Sequence, residues 1–391
     1  MNQQNPILII GGGIGGLAAA LSLSHKGIRT LLIEQADEFR EVGAGIQVGP
    51  NGFRALETLG VADQLADLTV LPDDLVFMDS VTATQITSIP TGAAFRDRFN
   101  YPYALIHRAD LHNVLLKACR EAEHVQFRVA TKIDRYEDDG QGITVFTSEG
   151  EAIRGAALIG ADGLWSKVRQ QIVGDGAPVV SGHIAYRAVL PIEDVPLEFR
   201  RNAMILWGGP KCHLVQYPLR GGKLFNLVAV FHSDRYVEGW NTEGDPEELK
   251  RRFVGTCETV QTLLAKIDSW RMWVLCDRAP VKNWSQGRVT LLGDAAHPML
   301  QYLAQGACMA LEDAVVLAQE VEKAAGDFAQ AFERYQARRY LRTARCQVMA
   351  RVHGEFYHAD GVVAELRNGL LASRTAQQSY DGLSWLYDAS I

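Results

Sequence analysis

Gly11-Gly12-Gly13-Ile14-Gly15-Gly16 stands between a short β-branched run at 7–10 and an apolar segment at 17–23 with helical spacing, and residues 30–33 are apolar again. Strand, turn, helix, strand is a βαβ opening, the setting in which G-x-G-x-x-G holds a dinucleotide. The first glycine permits the turn, the second admits a pyrophosphate, and the third lets helix and strand pack closely. Amides at the helix N-terminus then meet the phosphate charge. Glu34 ends the next strand, where a carboxylate can accept from both hydroxyls of an adenosine ribose and repels a 2′-phosphate. The motif alone does not say which dinucleotide binds.

Working outward, a helix is expected at 111–119, capped by Asp110, followed by a strand-rich stretch at 125–146 and a buried strand at 157–159. From 183 to 231 the pattern turns to alternating segments parted by Gly209-Pro210 and Gly221-Gly222, which reads as an antiparallel sheet inserted into an α/β domain. A buried strand returns at 289–292, then a long helical region at 311–352, while the last forty residues have weaker periodicity. Arg334, Arg338, Arg339, Arg342 and Arg345 share helical spacing and read as a solvated face pairing with nearby acids.

The length, 391 residues, suits two intertwined units, and 47% hydrophobic with 22% charged residues is ordinary globular usage. Lys and Arg total 39 against 46 Asp and Glu, a net −7 that disfavours a nucleic-acid partner. The six cysteines show neither C-x-x-C nor metal-ligand spacing, so free thiols in a reducing cytoplasm are expected, and no metal. Residues 6–23 match the shortest membrane span in length. Five glycines interrupt that run and no basic segment precedes it, so no membrane span is expected.

Two further segments carry a resemblance. Ala161-Asp162-Gly163 with Ser166 and Arg169 is similar to the DG motif, and Gly293-Asp294-Ala295-Ala296-His297-Pro298 to the GD motif, of the single-component FAD-dependent aromatic hydroxylases. The stretch from Leu300 to Ala314 resembles 3-hydroxybenzoate 6-hydroxylases, with salicylate hydroxylases as near relatives. The resemblance implies an α/β protein with a Rossmann-like FAD-binding domain of the p-hydroxybenzoate hydroxylase type, an inserted, mostly antiparallel substrate sheet, and C-terminal helices. The expected division is 1–72, 97–180 and 277–352 for the FAD-binding domain, 73–96 and 181–276 for the substrate domain, and 353–391 for the C-terminal segment. It also implies FAD contacts from Gly11, Gly13, Gly16, Glu34, Arg40, Gln47, Arg108, Asp162, Asp294 and Pro298. Asp294 would hold the ribityl chain, Asp162 would sit at the nucleotide and nicotinamide approach, and Arg108 would reach the flavin nucleotide. No second glycine fingerprint marks a separate NAD(P)H domain, in keeping with a nicotinamide that binds transiently.

Cys212-His213-Leu214-Val215-Gln216-Tyr217 alternates, so His213, Val215 and Tyr217 share one strand face. The resemblance sets that strand over the flavin. It implies NADH- and O2-dependent conversion of a small aromatic acid, 3-hydroxybenzoate, to gentisate through a flavin C4a-hydroperoxide. His213, with an ordinary imidazole pKa near 6.5, is the expected phenol base, and Gln301 and Tyr217 orient the ring. His107 and His297 are expected to be structural, and His183, His232, His353 and His358 carry no expectation. A decarboxylating salicylate 1-hydroxylase, a non-oxygenating FAD reductase and a flavin-bearing scaffold stay open as alternatives. Residues 366–386 offer an association surface for a homodimer.

Overall fold

The computed structural model describes residues 5–39, 44–233, 240–267, 269–389 and 391, excepting the side chains of 240 and 241. Arg40 lies outside them. A six-stranded sheet runs Ser285–Gln286, Val289–Leu291, Ala157–Gly160, Ile7–Ile10, Thr30–Ile33, Val125–Arg128, parallel except at its first edge strand. Ile7–Ile10 is buried along its whole length, as a strand covered on both faces must be. The helix Ile14–Ser24 packs on this sheet and against the long helix Gly306–Ala324. The glycine turn fits only glycine. Gly11 has φ +107°, and a Cβ on Gly16 would stand 1.9 Å from the Gly11 carbonyl oxygen.

The inserted sheet has eight strands in the order Trp240–Glu243, Arg271–Asp277, Val179–Pro191, Leu224–His232, Cys212–Leu219, Ala203–Gly209, Asp74–Asp79, Gln85–Pro90. Only the pair Ala203–Gly209 and Asp74–Asp79 is parallel. Alternation splits its side chains between two cores. Ile184, Tyr186, Leu214, Leu227 and Phe231 belong to one core, into which Leu249, Val260 and Leu263 of the helices Pro246–Arg252 and Glu258–Ala265 also pack. Ala185, Leu206, Val215, Tyr217, Val228 and Val230 belong to a second core, joined by Leu300, Tyr302 and Met309.

Three expectations are corrected. The helix after the strand Ala104–His107 begins at Arg108 and runs to Glu121, so Asp110 is no cap; its carboxylate sits in the first turn and accepts from Nε and Nη2 of Arg220 at 2.8 and 2.7 Å. The long helical region is two helices, Gly306–Ala324 and Phe328–Tyr357, broken where Ala325 takes φ +48°. The arginine run is only partly solvated, since Arg339 is buried between Glu312 and Asp313 and Arg342 pairs with Glu312.

The unreadable last forty residues form two more helices, Gly361–Ala372 and Ala376–Tyr387. Tyr380 and Tyr387 meet Phe95 and Phe99 of the helix Ala93–Phe99 edge to face, with centroids 5.2 to 6.1 Å apart. Arg342 donates from Nη2 to the Leu386 carbonyl at 2.8 Å, satisfying an orphan acceptor of the last helix. Among the described residues no helix is long and apolar enough to cross a membrane.

Candidate active site

A cavity of about 880 Å³ opens between the two sheets and the C-terminal helices. Gly13, Gln47, Arg108, Asp294, His213, Tyr217 and Gln301 all line it, so seven of the sequence-predicted residues converge. Gly11, Gly16, Glu34, Asp162 and Pro298 stand behind the lining. Glu34 accepts from the Gly12 amide at 2.7 Å and the Ala36 amide at 2.9 Å, which fastens the glycine turn to the next strand. Asp162 takes the Lys167 amide on Oδ2 at 2.7 Å, while its buried Oδ1 has no partner. The Pro298 carbonyl accepts from Gln347 at 2.9 Å.

Two helix N-termini face the cavity without side-chain caps. Gly13 precedes Ile14–Ser24 and Gln305 precedes Gly306–Ala324; neither helix has an acidic residue in its first turn. Their leading amides are open to an anionic ligand. Asp294 has accessible surface although protein encloses it, because it borders the cavity; burial raises its carboxyl pKa against the pull of His297 and Arg108. Behind it lies a frame of compensated charge. His297 Nε2 is 2.5 Å from Asp313 Oδ2, which also accepts from the Gly293 amide at 3.1 Å. Arg339 donates to Asp313 and Glu312 at 2.6 Å each, and Arg342 to both oxygens of Glu312 at 2.6 Å. Burial alone would raise both carboxyls, but Arg339, joined by His297 at Asp313 and by Arg342 at Glu312, holds them below their usual range.

The sheet side differs. Val215 and Tyr217 follow His213 on the cavity face, as the alternation predicts. Gly45 makes room for Tyr217, since a Cβ there would lie 2.4 Å from the phenol ring. The Gln47 Oε1 accepts from the Tyr103 hydroxyl at 2.5 Å. Arg187 borders the cavity too, with its guanidinium 5.3 Å from the Trp273 ring centroid. It donates from Nη2 to Gln301 Oε1, while its Nε is buried without a partner. Enclosure lowers its pKa despite Tyr217, and among the described residues no carboxylate pairs with it.

His213 corrects an expectation. Burial, then the neighbouring His183, push its imidazole down to about 3 rather than leaving it near 6.5. It belongs to a cluster that sequence reading left aside. His213 Nδ1 is 2.7 Å from His358 Nε2, and His358 Nδ1 is 2.9 Å from His232 Nε2. His183 Nδ1 is 2.6 Å from the Tyr302 hydroxyl. Burial lowers His183 to about 4 and drives His358 further down. His183, His232 and His358 offer nitrogens within 4.8 Å of one another. The facing nitrogens of His358 and His232 nonetheless stand at hydrogen-bond distance, closer than the roughly 3.3 Å between two ligands on one tetrahedral zinc.

Arg187 left one signal, a cation amid the apolar run Ile184-Ala185-Tyr186 and Ala188-Val189-Leu190. The histidines left none, because register across strands, His183 opposite His232 and His213 opposite Val230, gathers them.

Residues 4–347 match the FAD binding domain family. The 3-hydroxybenzoate 6-hydroxylase of Polaromonas naphthalenivorans is 48% identical over 383 residues, covering 98% of this chain and 95% of its own. The chain belongs to the FAD-dependent aromatic hydroxylases. A 3-hydroxybenzoate 6-hydroxylase of Aquipseudomonas alcaligenes is 45% identical, with 98% of each chain covered. Among solved structures, HpxO of Klebsiella pneumoniae with FAD and uric acid superimposes with a TM-score of 0.86 at 26% identity, covering 98% of this chain and 97% of that one. A salicylate hydroxylase substrate complex shares the fold, with a TM-score of 0.85 at 24% identity over 100% and 97% of the two chains. The cavity fits the FAD of this family. The turn excludes any side chain at Gly11 and Gly16, two uncapped helix ends face inward, and Asp294 presents a carboxylate to the cavity.

Proposed function

We propose that this hydroxylase converts 3-hydroxybenzoate to gentisate, adding oxygen para to the phenol at the expense of NADH and O2. One observation carries the reading. A single cavity is lined by an enclosed cation, Arg187, set against Gln301 and Trp273, and by an imidazole kept neutral, His213. Those two groups suit a carboxylate and a phenol on one small ring, and the printed name of the relatives supplies the substitution pattern.

Gly11, Gly13, Gly16 and Glu34 would hold the adenosine pyrophosphate end of FAD. Arg108, Asp162, Asp294, Pro298 and Gln47 would hold the flavin half. Bound FAD, reduced by NADH, supplies from O2 the electrophilic oxygen that enters the ring. The uncapped first turn of Gly306–Ala324 would favour negative charge on a flavin held beside it. Arg187 would take the substrate carboxylate and Gln301 would hold the guanidinium in place, which would fix the orientation of the ring in the cavity. Tyr217 orients the ring from the sheet. The cavity-facing nitrogen of His213 accepts the phenol proton, giving the ring phenolate character where it is attacked. Leu383 and Trp385 of the last helix line the cavity and exclude water, which protects the reactive oxygen from loss as H2O2.

Product analysis tests the reading. Purified protein with NADH, O2 and 3-hydroxybenzoate should yield gentisate without CO2. Catechol and CO2 from salicylate, with no turnover of 3-hydroxybenzoate, would instead make it a decarboxylating hydroxylase. Reduction of flavin without O2 uptake would remove it from the oxygenases.

A further inference from the structure

An imidazole depressed to about 3 cannot keep a proton drawn from a phenol of ordinary pKa about 10. It must pass the proton on, and its second nitrogen shows where. Nδ1 of His213 faces Nε2 of His358 at 2.7 Å, and Nδ1 of His358 faces Nε2 of His232 at 2.9 Å. Each neutral ring has one donor and one acceptor nitrogen, so three rings in this arrangement form a continuous donor-acceptor line. They come from different elements: the strand Cys212–Leu219, the residue capping Phe328–Tyr357, and the last residue of Leu224–His232. Exposure rises along the line, from 2% at His213 and 4% at His358 to a partly exposed His232.

We propose that His358 and His232 relay the substrate's phenol proton from His213 to solvent. The proposal rests on the reading of His213 as the proton acceptor. The phenol O–H bond breaks as an N–H bond forms on the cavity-facing nitrogen of His213. The Nδ1 proton of His213 moves to Nε2 of His358, the Nδ1 proton of His358 moves to Nε2 of His232, and the outer proton of His232 passes to water. The phenolate remains and one proton has left. All three rings end neutral with their tautomers reversed, so no imidazolium is stored in the apolar interior. Oxygenation leaves the former phenolate as a ring ketone with an sp3 C–H at the new hydroxyl. That C–H bond breaks and its proton leaves to water as the ring regains aromaticity, and the ketone oxygen needs a proton to become a phenol again. The same line run backwards delivers that proton and restores the tautomers.

The groups facing the outer end suit an exit. Glu355 favours the charged form of His232, while Lys211 and Arg252 oppose it, and His183 stacks on it with centroids 4.3 Å apart. Burial is the main influence that keeps His358 neutral, followed by the imidazoles of His213, His183 and His232. His183, tied to Tyr302, stands beside the line rather than in it.

The test uses FAD-loaded His358→Phe and His232→Ala, with FAD content and substrate affinity as controls for folding. Gentisate formed per NADH consumed should fall at least about tenfold in each, part of the 10²–10⁴ of a general base. Added imidazoles should restore hydroxylation in His232→Ala, rising with the basicity of the added ring. A ring-fluorinated 3-hydroxybenzoate, whose phenol ionises more readily, should lose less in both variants. Wild-type hydroxylation in both variants, with His213→Ala inactive, overturns the relay and leaves the base standing. A fully coupled His213→Ala overturns both. Loss that is neither rescued by imidazoles nor relieved by the fluorinated substrate makes the two residues packing elements and also overturns the relay. If His358→Phe does not fold, His232→Ala decides alone.

Discussion

On the helix side of the cavity, Arg339 and Arg342 bury their charge against Glu312 and Asp313; on the sheet side, His213, His358 and His232 bury imidazoles against one another. Both clusters satisfy the rule that buried polar groups find partners. They do so by different means. The helix-side frame is charged, and each member is held there by an opposite charge, so it keeps the turn Gly293–Ala295 fixed at the edge of the cavity. The sheet-side cluster is neutral and held by hydrogen bonds whose donors and acceptors can exchange roles. A fixed frame suits a cofactor; an exchangeable set suits a proton.

The largest break of this contrast is His213→Ala. FAD binding and reduction by NADH do not require the phenol proton to leave, so both should persist. Hydroxylation should fall by roughly 10²–10⁴-fold. NADH consumption and gentisate formation should then diverge, with the difference appearing as H2O2. Matching rates at the wild-type level would make His213 a structural strand residue.

Next comes the frame itself. Arg339→Met strands Glu312 and Asp313 in the interior with fewer counter-charges, and breaking one side of a buried pair costs about 3–5 kcal/mol. Urea unfolding should report that loss. A change below about 1 kcal/mol would mean that Arg342 and His297 suffice and that the frame is redundant.

The two clusters should also part under acid. Folding keeps His213 and His358 neutral, whereas the unfolded chain protonates them below about 6.5, so the unfolded state binds more protons and stability falls as pH drops. From pH 6.5 to 5 the loss is about 1.6 kcal/mol per imidazole. Asp313 works in the other window: its folded pKa is depressed, so its contribution is intact at pH 5 and is lost only as pH falls through and below the ordinary carboxylate range. Melting temperature followed from pH 7 to 5 should decline in the wild type and decline less in His358→Phe. Parallel curves would show that His358 titrates normally in the fold.

The contrast also marks what the chain makes legible. The glycine turn, the GD segment and the cavity face of Cys212–Leu219 are local patterns, because turn geometry and two-residue alternation act between near neighbours. The frame was half visible. Its arginines had helical spacing, but a buried and a solvated arginine look alike until the facing helix is known. The histidine line was invisible, since its members lie at 213, 232 and 358 and meet only through strand register and the end of a 30-residue helix. The C-terminal helices hid for a related reason: their partners, Phe95 and Phe99, are distant in sequence.

The smallest expected effect lies where the two sides meet, at Gln301. Its amide oxygen accepts from Arg187, so on the proposed function it would act on substrate chiefly by holding that guanidinium. A hydrogen bond to a charged group is worth about 1.5–3 kcal/mol, but Arg187 keeps its contact with Trp273 and a substrate carboxylate, so the net loss should sit at the lower end. Gln301→Ala should therefore lower kcat/KM for 3-hydroxybenzoate about tenfold, mostly through KM, with mild uncoupling. Arg187→Ala should cost more, because it removes the cation itself. If Gln301 works through Arg187, the double variant should be no worse than Arg187→Ala alone, since the residue it positions is already gone. Additive losses would mean that the Gln301 amide touches the substrate directly, on the flavin side rather than the sheet side of the ring.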